Sequence, residues 1–449
     1  MIRIRKPYFL CLVILTLGYC IVGCYTTQAF PPYPLNGETP RDTDMHLDTT
    51  VIPTNTNIPE YFEATKLPLN SKTLVPNDVT TIPPKSIMEY EEFKINKNWP
   101  IDTKIMGGLI LGGEHSYIQY FDRQAYKEEL SDRSCLSTSP DGNWYSYCTL
   151  SSDSPTGKWL IVQSADRYQK LKLPLDMYLL SLDPRSWLNN QQLIFSIFRE
   201  HEVYPMVIIN PFLGKTELQH LDSNYPGIKS SDVGPSGTLQ FVYSHLVYDP
   251  SLNLVVYPRK TYDEKTKTDR NLIILWDRKA RKQLAEIEDL LPFGHYPDWS
   301  PNAQQFAIAV ATWTGDKHRE YIDDWFEVDK VGRVNRLTHF VGSFEHVWIG
   351  HQSWSPDGKK LAFWLDVGSG PCSGDRLAIL EISTGRITNT CIPGAYLGGT
   401  APPVWSLDGR YIAIENTYDI DSSNVILIDM EERWAAKIGE NAVPIGWVK

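Results

Sequence analysis

From about residue 92 onward the chain alternates short apolar runs with tight polar turns, and the pattern repeats. The clearest unit is Ser353-Trp354-Ser355-Pro356-Asp357-Gly358, followed by the apolar run Leu361-Ala362-Phe363. It recurs as Asp298-Trp299-Ser300-Pro301-Asn302 before Phe306-Ala307-Ile308. It recurs again as Val404-Trp405-Ser406-Leu407-Asp408-Gly409 before Tyr411-Ile412-Ala413-Ile414. With looser copies, the equivalent positions 138, 187, 248, 299, 354 and 405 follow one another at intervals of about 50 to 60 residues. Each unit reads as strand, turn, strand, because Asp-Gly supplies the positive φ angles that a short hairpin needs.

A second apolar strand pair follows each unit. Its copies include Trp159-Leu160-Ile161-Val162, Met206-Val207-Ile208-Ile209, Leu272-Ile273-Ile274-Leu275 and Val425-Ile426-Leu427-Ile428. Counting Tyr117-Ile118-Gln119-Tyr120-Phe121 there are seven, but this first copy has no complete strand–turn–strand unit before it. At the other end, Val443-Pro444-Ile445-Gly446-Trp447-Val448 is a strand without a blade. Placing the last strand innermost in the first blade completes both and leaves no bare sheet edge. The expected fold is therefore all-β, a single β-propeller of seven four-stranded blades over residues 92–449, closed by the C-terminal strand. The Trp-Ser-Pro-Asp-Gly pattern resembles the TolB-like, WD-repeat-like propeller repeat, and it covers about 350 residues.

The N-terminal part reads differently. Arg3, Arg5 and Lys6 precede an apolar run from Tyr8 to Gly23, too short for a usual spanning helix and typical of a signal sequence. The run ends Ile21-Val22-Gly23-Cys24, which resembles the bacterial lipobox. The resemblance implies cleavage after residue 23 and lipid attachment at Cys24, with two or three acyl chains giving stable anchoring. An ordinary signal peptide or an uncleaved anchor helix is the plainer alternative. Residues 24–91 then form a tether: 12 Thr and 10 Pro fall within positions 25–91. No helical period survives there, and a flexible coil of that length spans roughly 40–50 Å.

Charge and cysteine content narrow the function. The net charge of −11 argues against a partner held by phosphate neutralisation, so nucleic acid is not expected. Cys11 and Cys20 would leave with the signal and Cys24 would take lipid. Cys135, Cys148, Cys372 and Cys391 remain, an even number that suits an exported protein. A two-residue turn at Asp141-Gly142 puts Cys135 opposite Cys148, and Cys372 and Cys391 would flank one outer hairpin. Four buried free thiols are the alternative.

In a four-stranded meander the turns between first and second strands share one face with those between third and fourth. Here the turns between first and second strands are short, close to Ser-Pro-Asp-Gly. The other face takes the segments 258–271, 312–322, 366–375 and 416–424, which read as long polar loops, and the crossovers near 218–244 and 338–351. Long loops on one face of a rigid scaffold are where binding usually sits. His245, His295 and His351 precede the first strands of consecutive blades and would ring the channel mouth, as ligands for an anion or metal or as local loop hydrogen bonds. Trp313, His318, Arg319, Tyr321, Asp323 and Asp324 crowd one loop in a mixture that suits sugar or peptide, or simply a packed loop. Asp419, Asp421 and Asn424 offer oxygen ligands but lack the glycine and distal glutamate of an EF-hand loop. No metal or cofactor is expected.

No Gly-x-Ser-x-Gly, His-Glu-x-x-His or Walker A motif occurs. The expected function is a lipid-anchored, extracytoplasmic binding or scaffold module for a protein, peptide or glycan ligand at the cell envelope. The alternative is a propeller hydrolase or lyase acting on surface glycan through a carboxylate pair.

Overall fold

The repeat becomes seven antiparallel meanders in the computed structural model. It describes residues 88–91, 93–96 and 105–449, less 114–115, 122–126, 131–133, 177–178, 182–185, 198–205, 220–246, 264, 266, 290–296, 317–318, 342, 371, 395–400 and 420–421. All regular structure among the described residues is β-strand. From the innermost strand outward, blade 2 runs Ser134–Thr138, Trp144–Leu150, Gly157–Ser164 and Lys170–Asp176. Blade 5 runs Asp298–Trp299, Gln305–Asp316, Arg319–Asp329 and Val334–Arg336. Blades 4, 6 and 7 follow the same order, and blade 3 has its innermost strand in two pieces, Leu179–Ser181 and Trp187–Asn189.

Blade 1 is built from both ends of the propeller. Ala442–Val448 lies innermost and pairs antiparallel with Gly108–Gly113, with Trp447 opposite Leu109. This is the closure expected from the orphan strand. The junction is tight: a Cβ at Gly446 would lie 2.0 Å from the Thr138 hydroxyl oxygen of blade 2, so only glycine lets the two inner strands approach. The Lys449 amide then donates to the Gly142 carbonyl at 2.9 Å.

Each blade is covered on both faces by its neighbours, and this explains strands that are apolar without interruption. In blade 5, Phe306-Ala307-Ile308-Ala309-Val310-Ala311 is wholly buried. Alternate residues serve alternate neighbours, since side chains along a strand point to opposite faces. Phe306, Ile308 and Val310 pack towards blade 4, while Ala307 and Ala309 pack towards blade 6. The seven apolar clusters correspond one to one with the seven blade junctions, the last being Tyr411, Val425 and Leu427 of blade 7 against Leu109, Leu111 and Trp447 of blade 1.

The repeat tryptophans tie each blade to the one before it. The indole Nε1 groups of Trp354 and Trp405 donate to the inner-strand carbonyls of Asp298 and Ser353 at 2.8 and 3.2 Å. Trp299 donates to Val247 at 3.4 Å. Trp447 is buried in the matching place, but among the described residues its Nε1 has no hydrogen-bond partner. Below the tryptophans the turns also repeat. The Ser139, Ser300 and Ser355 hydroxyls donate to Asp141, Asn302 and Asp357 at 2.7, 2.8 and 2.7 Å. The left-handed position is glycine at Gly358 (φ 69°) but alanine at Ala303 (φ 53°).

Two features depart from the sequence expectation. The propeller begins ahead of residue 92: Met88–Tyr90 adds a parallel fifth strand outside Arg386–Pro393 of blade 6. Lys94–Asn96 does the same outside Trp434–Glu440 of blade 7. Phe93 between them is buried in the blade 6–7 junction, and Glu91 pairs with Arg433 at 3.1 Å. These short strands cap two edges that would otherwise be open to a foreign strand. The second departure is register. Thr138 and Tyr145 pair as the Asp141-Gly142 turn requires, but Ser134 pairs with Cys148. A bulge takes up the difference, and Cys135 lies within it in the left-handed region (φ 57°). Both expected disulfides form: Cys135–Cys148 and Cys372–Cys391, with Cα separations of 5.4 and 5.1 Å.

Candidate functional site

The face opposite the serine turns is built of hairpins where irregular loops were expected. In blade 4 the ladder between Leu254–Asp263 and Thr268–Asp277 continues to Asp263 opposite Thr268. In blade 5 it continues to Asp316 opposite Arg319, and in blade 7 to Asp419 opposite Ser422. Segments 258–271, 312–322 and 416–424 are therefore mostly strand. In blade 5 the second strand runs five residues past the buried Ala311 to Asp316, a length of roughly 15–17 Å. Blade 6 keeps a true loop over 367–375. Asp366 organises it by accepting the Gly368 and Gly374 amides at 2.7 and 3.1 Å, and Cys372 fastens it to the outer strand at Cys391.

Asp323 and Asp324 lie at the base of the blade 5 hairpin, not at its tip. Both are buried. Successive residues of a strand face opposite sides, so they serve different partners. Asp323 accepts the Ile349 amide at 2.8 Å and so holds the entry to blade 6. Asp324 accepts the Phe340 amide at 3.0 Å and the hydroxyls of Thr338 and Thr312 at 2.9 and 3.0 Å, and it pairs with Arg336. Thr338 in turn accepts the Trp325 amide at 2.8 Å. Burial pushes the Asp324 carboxyl up, against the opposing pull of Arg336, Phe340 and Thr338. Burial and Arg336 push the nearby His339 down, while Asp324 pulls it up. Together these groups brace the crossover from blade 5 to blade 6.

The remaining sequence candidates are only partly described. Trp313 and Tyr321 pair in register on the two strands of the blade 5 hairpin, and Arg319 opens its second strand. His351 sits half-buried at a bulge in the innermost strand of blade 6, between Ile349 and Gln352. His245, His295, His318, Asp421 and Cys24 lie outside the described residues. Among the described residues no three His, Cys, Asp or Glu side chains are placed to hold a metal ion.

One cluster was not singled out from the sequence. On blade 2, Trp159, Lys170 and Lys172 line an open groove with Tyr147 and Thr149, and Asp153 bonds to both Trp159 and Lys172. Trp159 was read only as a strand marker, and Asp153 lies in the turn before it. Nothing but the strand register brings them beside the two lysines.

No family model matches this chain, and no curated protein matches it. Among solved structures it is similar to TolB from Acinetobacter baumannii, at 12% identity over 82% of this chain and 97% of that one, with a TM-score of 0.41. It is also similar to the tricorn protease, at 8% identity over 79% of this chain and 35% of that one, TM-score 0.44. An oligogalacturonate lyase in complex with manganese gives 10% identity over 74% and 84%, TM-score 0.43. At such distances these likenesses carry no inference about activity, and the seven-bladed assignment rests on the strand pairing and blade junctions.

Proposed function

We propose that this chain is an extracytoplasmic binding or scaffold module, held to the bacterial membrane by a lipid on Cys24. It recognises a protein, peptide or glycan ligand through the hairpin face of its propeller. The observation that carries the reading is the difference between the faces. On one, serine–aspartate or serine–asparagine turns close blades 2, 5, 6 and 7 tightly. On the other, the hairpins of blades 4, 5 and 7 extend to the pairs Asp263–Thr268, Asp316–Arg319 and Asp419–Ser422. A rigid ring carrying variable extensions on one side is the usual geometry of a recognition surface. The two disulfides suit an oxidising compartment.

Photo-crosslinking in intact cells tests the face. A reactive side chain at Trp313 or Tyr321 should capture a discrete partner, and one at Asn302 or Asp408 should not. Capture from the turn face alone would overturn the assignment. For the anchor, Cys24→Ser should abolish incorporation of labelled fatty acid, and a wild-type protein that takes up no label would contradict it.

A further inference from the structure

Blade 2 turns one sheet face towards blade 1, and among the described residues the outer part of that face is uncovered. The outermost strand of blade 1, Lys127–Glu129, has three residues, whereas that of blade 2, Lys170–Asp176, has seven. The result is an open groove of about 310 Å³. Alternation along three strands places Tyr147 and Thr149, then Ile161 and Trp159, then Lys172 and Lys170 on the same side. Tyr147 and Ile161 form its buried floor. Trp159 and the lysines form its wall.

The chemistry of that wall is specific. Asp153 accepts the Trp159 Nε1–H at 3.0 Å and the Ser151 hydroxyl, which fixes the plane of the indole. Its other oxygen takes Lys172 at 3.3 Å, and the Lys172 ammonium stands 4.1 Å from the centroid of the Trp159 ring. Lys170 is exposed on the same side and has no ion-pair partner among the described residues. Thus an oriented aromatic plate carries a movable cation, with a second exposed cation beside it. This sits on a chain whose net charge is −11.

We propose that this groove is a binding subsite for a carboxylate-bearing sugar, a uronic acid residue of an acidic glycan. The apolar face of the pyranose packs on the Trp159 ring, and its carboxylate bridges Lys170 and Lys172. Lys172 exchanges Asp153 for the ligand carboxylate and, in moving, uncovers the indole. The hydroxyls of Thr149 and Ser151 lie at the rim for the sugar hydroxyls. An acidic peptide suits the site less well. A peptide strand would add to the free edge of Lys170–Asp176, but Pro174 interrupts that edge with a nitrogen that carries no hydrogen. The groove is also a flat sheet face with no enclosed recess for a side chain. It runs along the flank of blade 2 up to that blade's own hairpin turn at Ser151 and Asp153, on the hairpin side of the ring, and it is argued from these residues alone, not from the extended hairpins of blades 4, 5 and 7.

The test is calorimetric titration of the full chain with tetramers of galacturonate, glucuronate and mannuronate, beside a methyl-esterified tetramer and tetraglutamate. At least one acidic tetramer should bind, more weakly as salt rises, and the esterified form should bind about tenfold less tightly. Lys170→Gln with Lys172→Gln should weaken binding by about tenfold or more, without changing the melting temperature. Asp153→Asn, which releases Lys172, should strengthen it, an effect that a purely structural groove would not give. Trp159→Ala should abolish binding. Because Trp159 also touches the core, the lysine and Asp153 variants decide if that protein fails to fold. The proposal is overturned if no acidic tetramer binds, if the lysine variant binds as well as the wild type, or if tetraglutamate binds more tightly than every uronate.

Discussion

Asp324 distinguishes a carboxylate that binds ligand from one that holds the fold. Asp324→Ala removes the acceptor for the Phe340 amide and the Thr338 hydroxyl, both in residues that are fully buried (0% exposed). A buried donor left without an acceptor costs about 1–3 kcal/mol. Arg336 loses its carboxylate as well, but its side chain is 32% exposed and water can replace part of that interaction. The sum is about 3–5 kcal/mol, the range found when one partner of a buried charge pair is removed. Against a total stability of about 5–15 kcal/mol this is a large loss. Asp324→Asn keeps the volume and one acceptor oxygen and should fall in between. Urea unfolding at pH 7, followed by tryptophan fluorescence, measures both. An Asp324→Ala protein whose unfolding free energy is within about 0.5 kcal/mol of wild type, the usual spread for an unimportant surface change, would refute the bracing role. It would return this residue to the list of ligand contacts.

Trp354→Phe and Trp447→Phe should differ although both indoles are buried. The first loses a 2.8 Å bond to the Asp298 carbonyl and the second loses none, so Trp354→Phe should be the more costly by about 0.5–1.5 kcal/mol in thermal unfolding; equal costs would contradict the blade-linking role. Ala303→Gly relieves a left-handed alanine (φ 53°) and, after the entropy that glycine adds to the unfolded chain, should stabilise by up to about 1 kcal/mol; a loss of stability would show the turn to be different. Burial pushes the Asp357 carboxyl up, but the Ser355 hydroxyl, the Lys359 amide and the charges of Lys359 and Lys360 outweigh it and hold it below the usual carboxylate range. A depressed folded value gives stability that is present above the unfolded value of about 3.9 and is lost as pH falls through the folded value. Asp357→Asn, which matches the asparagine at position 302, should therefore be less stable than wild type at pH 7, converge with it in acid, and show a flatter acid-unfolding profile below about pH 4.

The parts of the fold legible in the sequence are those with local causes. The turn chemistry of Ser355-Pro356-Asp357-Gly358 and its copies fixes the hairpin register over a few residues, and the spacing of the repeat tryptophans fixes the blade count. Ring closure followed because two incomplete units, near Tyr117 and at Trp447, could only complete each other. What stayed hidden depends on distant partners. Met88–Tyr90 and Lys94–Asn96 are too short to show a period, and they are strands only because blades 6 and 7 offer them an edge. The blade 5 hairpin read as a loop because its polar residues resemble linker, yet the ladder from Gln305 to Asp316 continues through them. Asp323 and Asp324 read as exposed because their donors lie 12 to 26 positions along the chain: Arg336 in the outermost strand of blade 5, Thr338 and Phe340 in the crossover, and Ile349 in the innermost strand of blade 6. The groove on blade 2 is a product of register alone, which a list of residue types does not contain.

Both the blade count and the division into two faces depend on the pairing of Ala442–Val448 with Gly108–Gly113. Native-state hydrogen exchange of the amides in Ala442–Val448 tests it most directly. If this strand closes the ring, its paired amides exchange only through global unfolding, as slowly as those of the innermost strand of blade 6, Trp348–Trp354. Exchange at the rate of a free chain end, with the rest of the propeller still protected, would show an open array and contradict the seven-bladed ring.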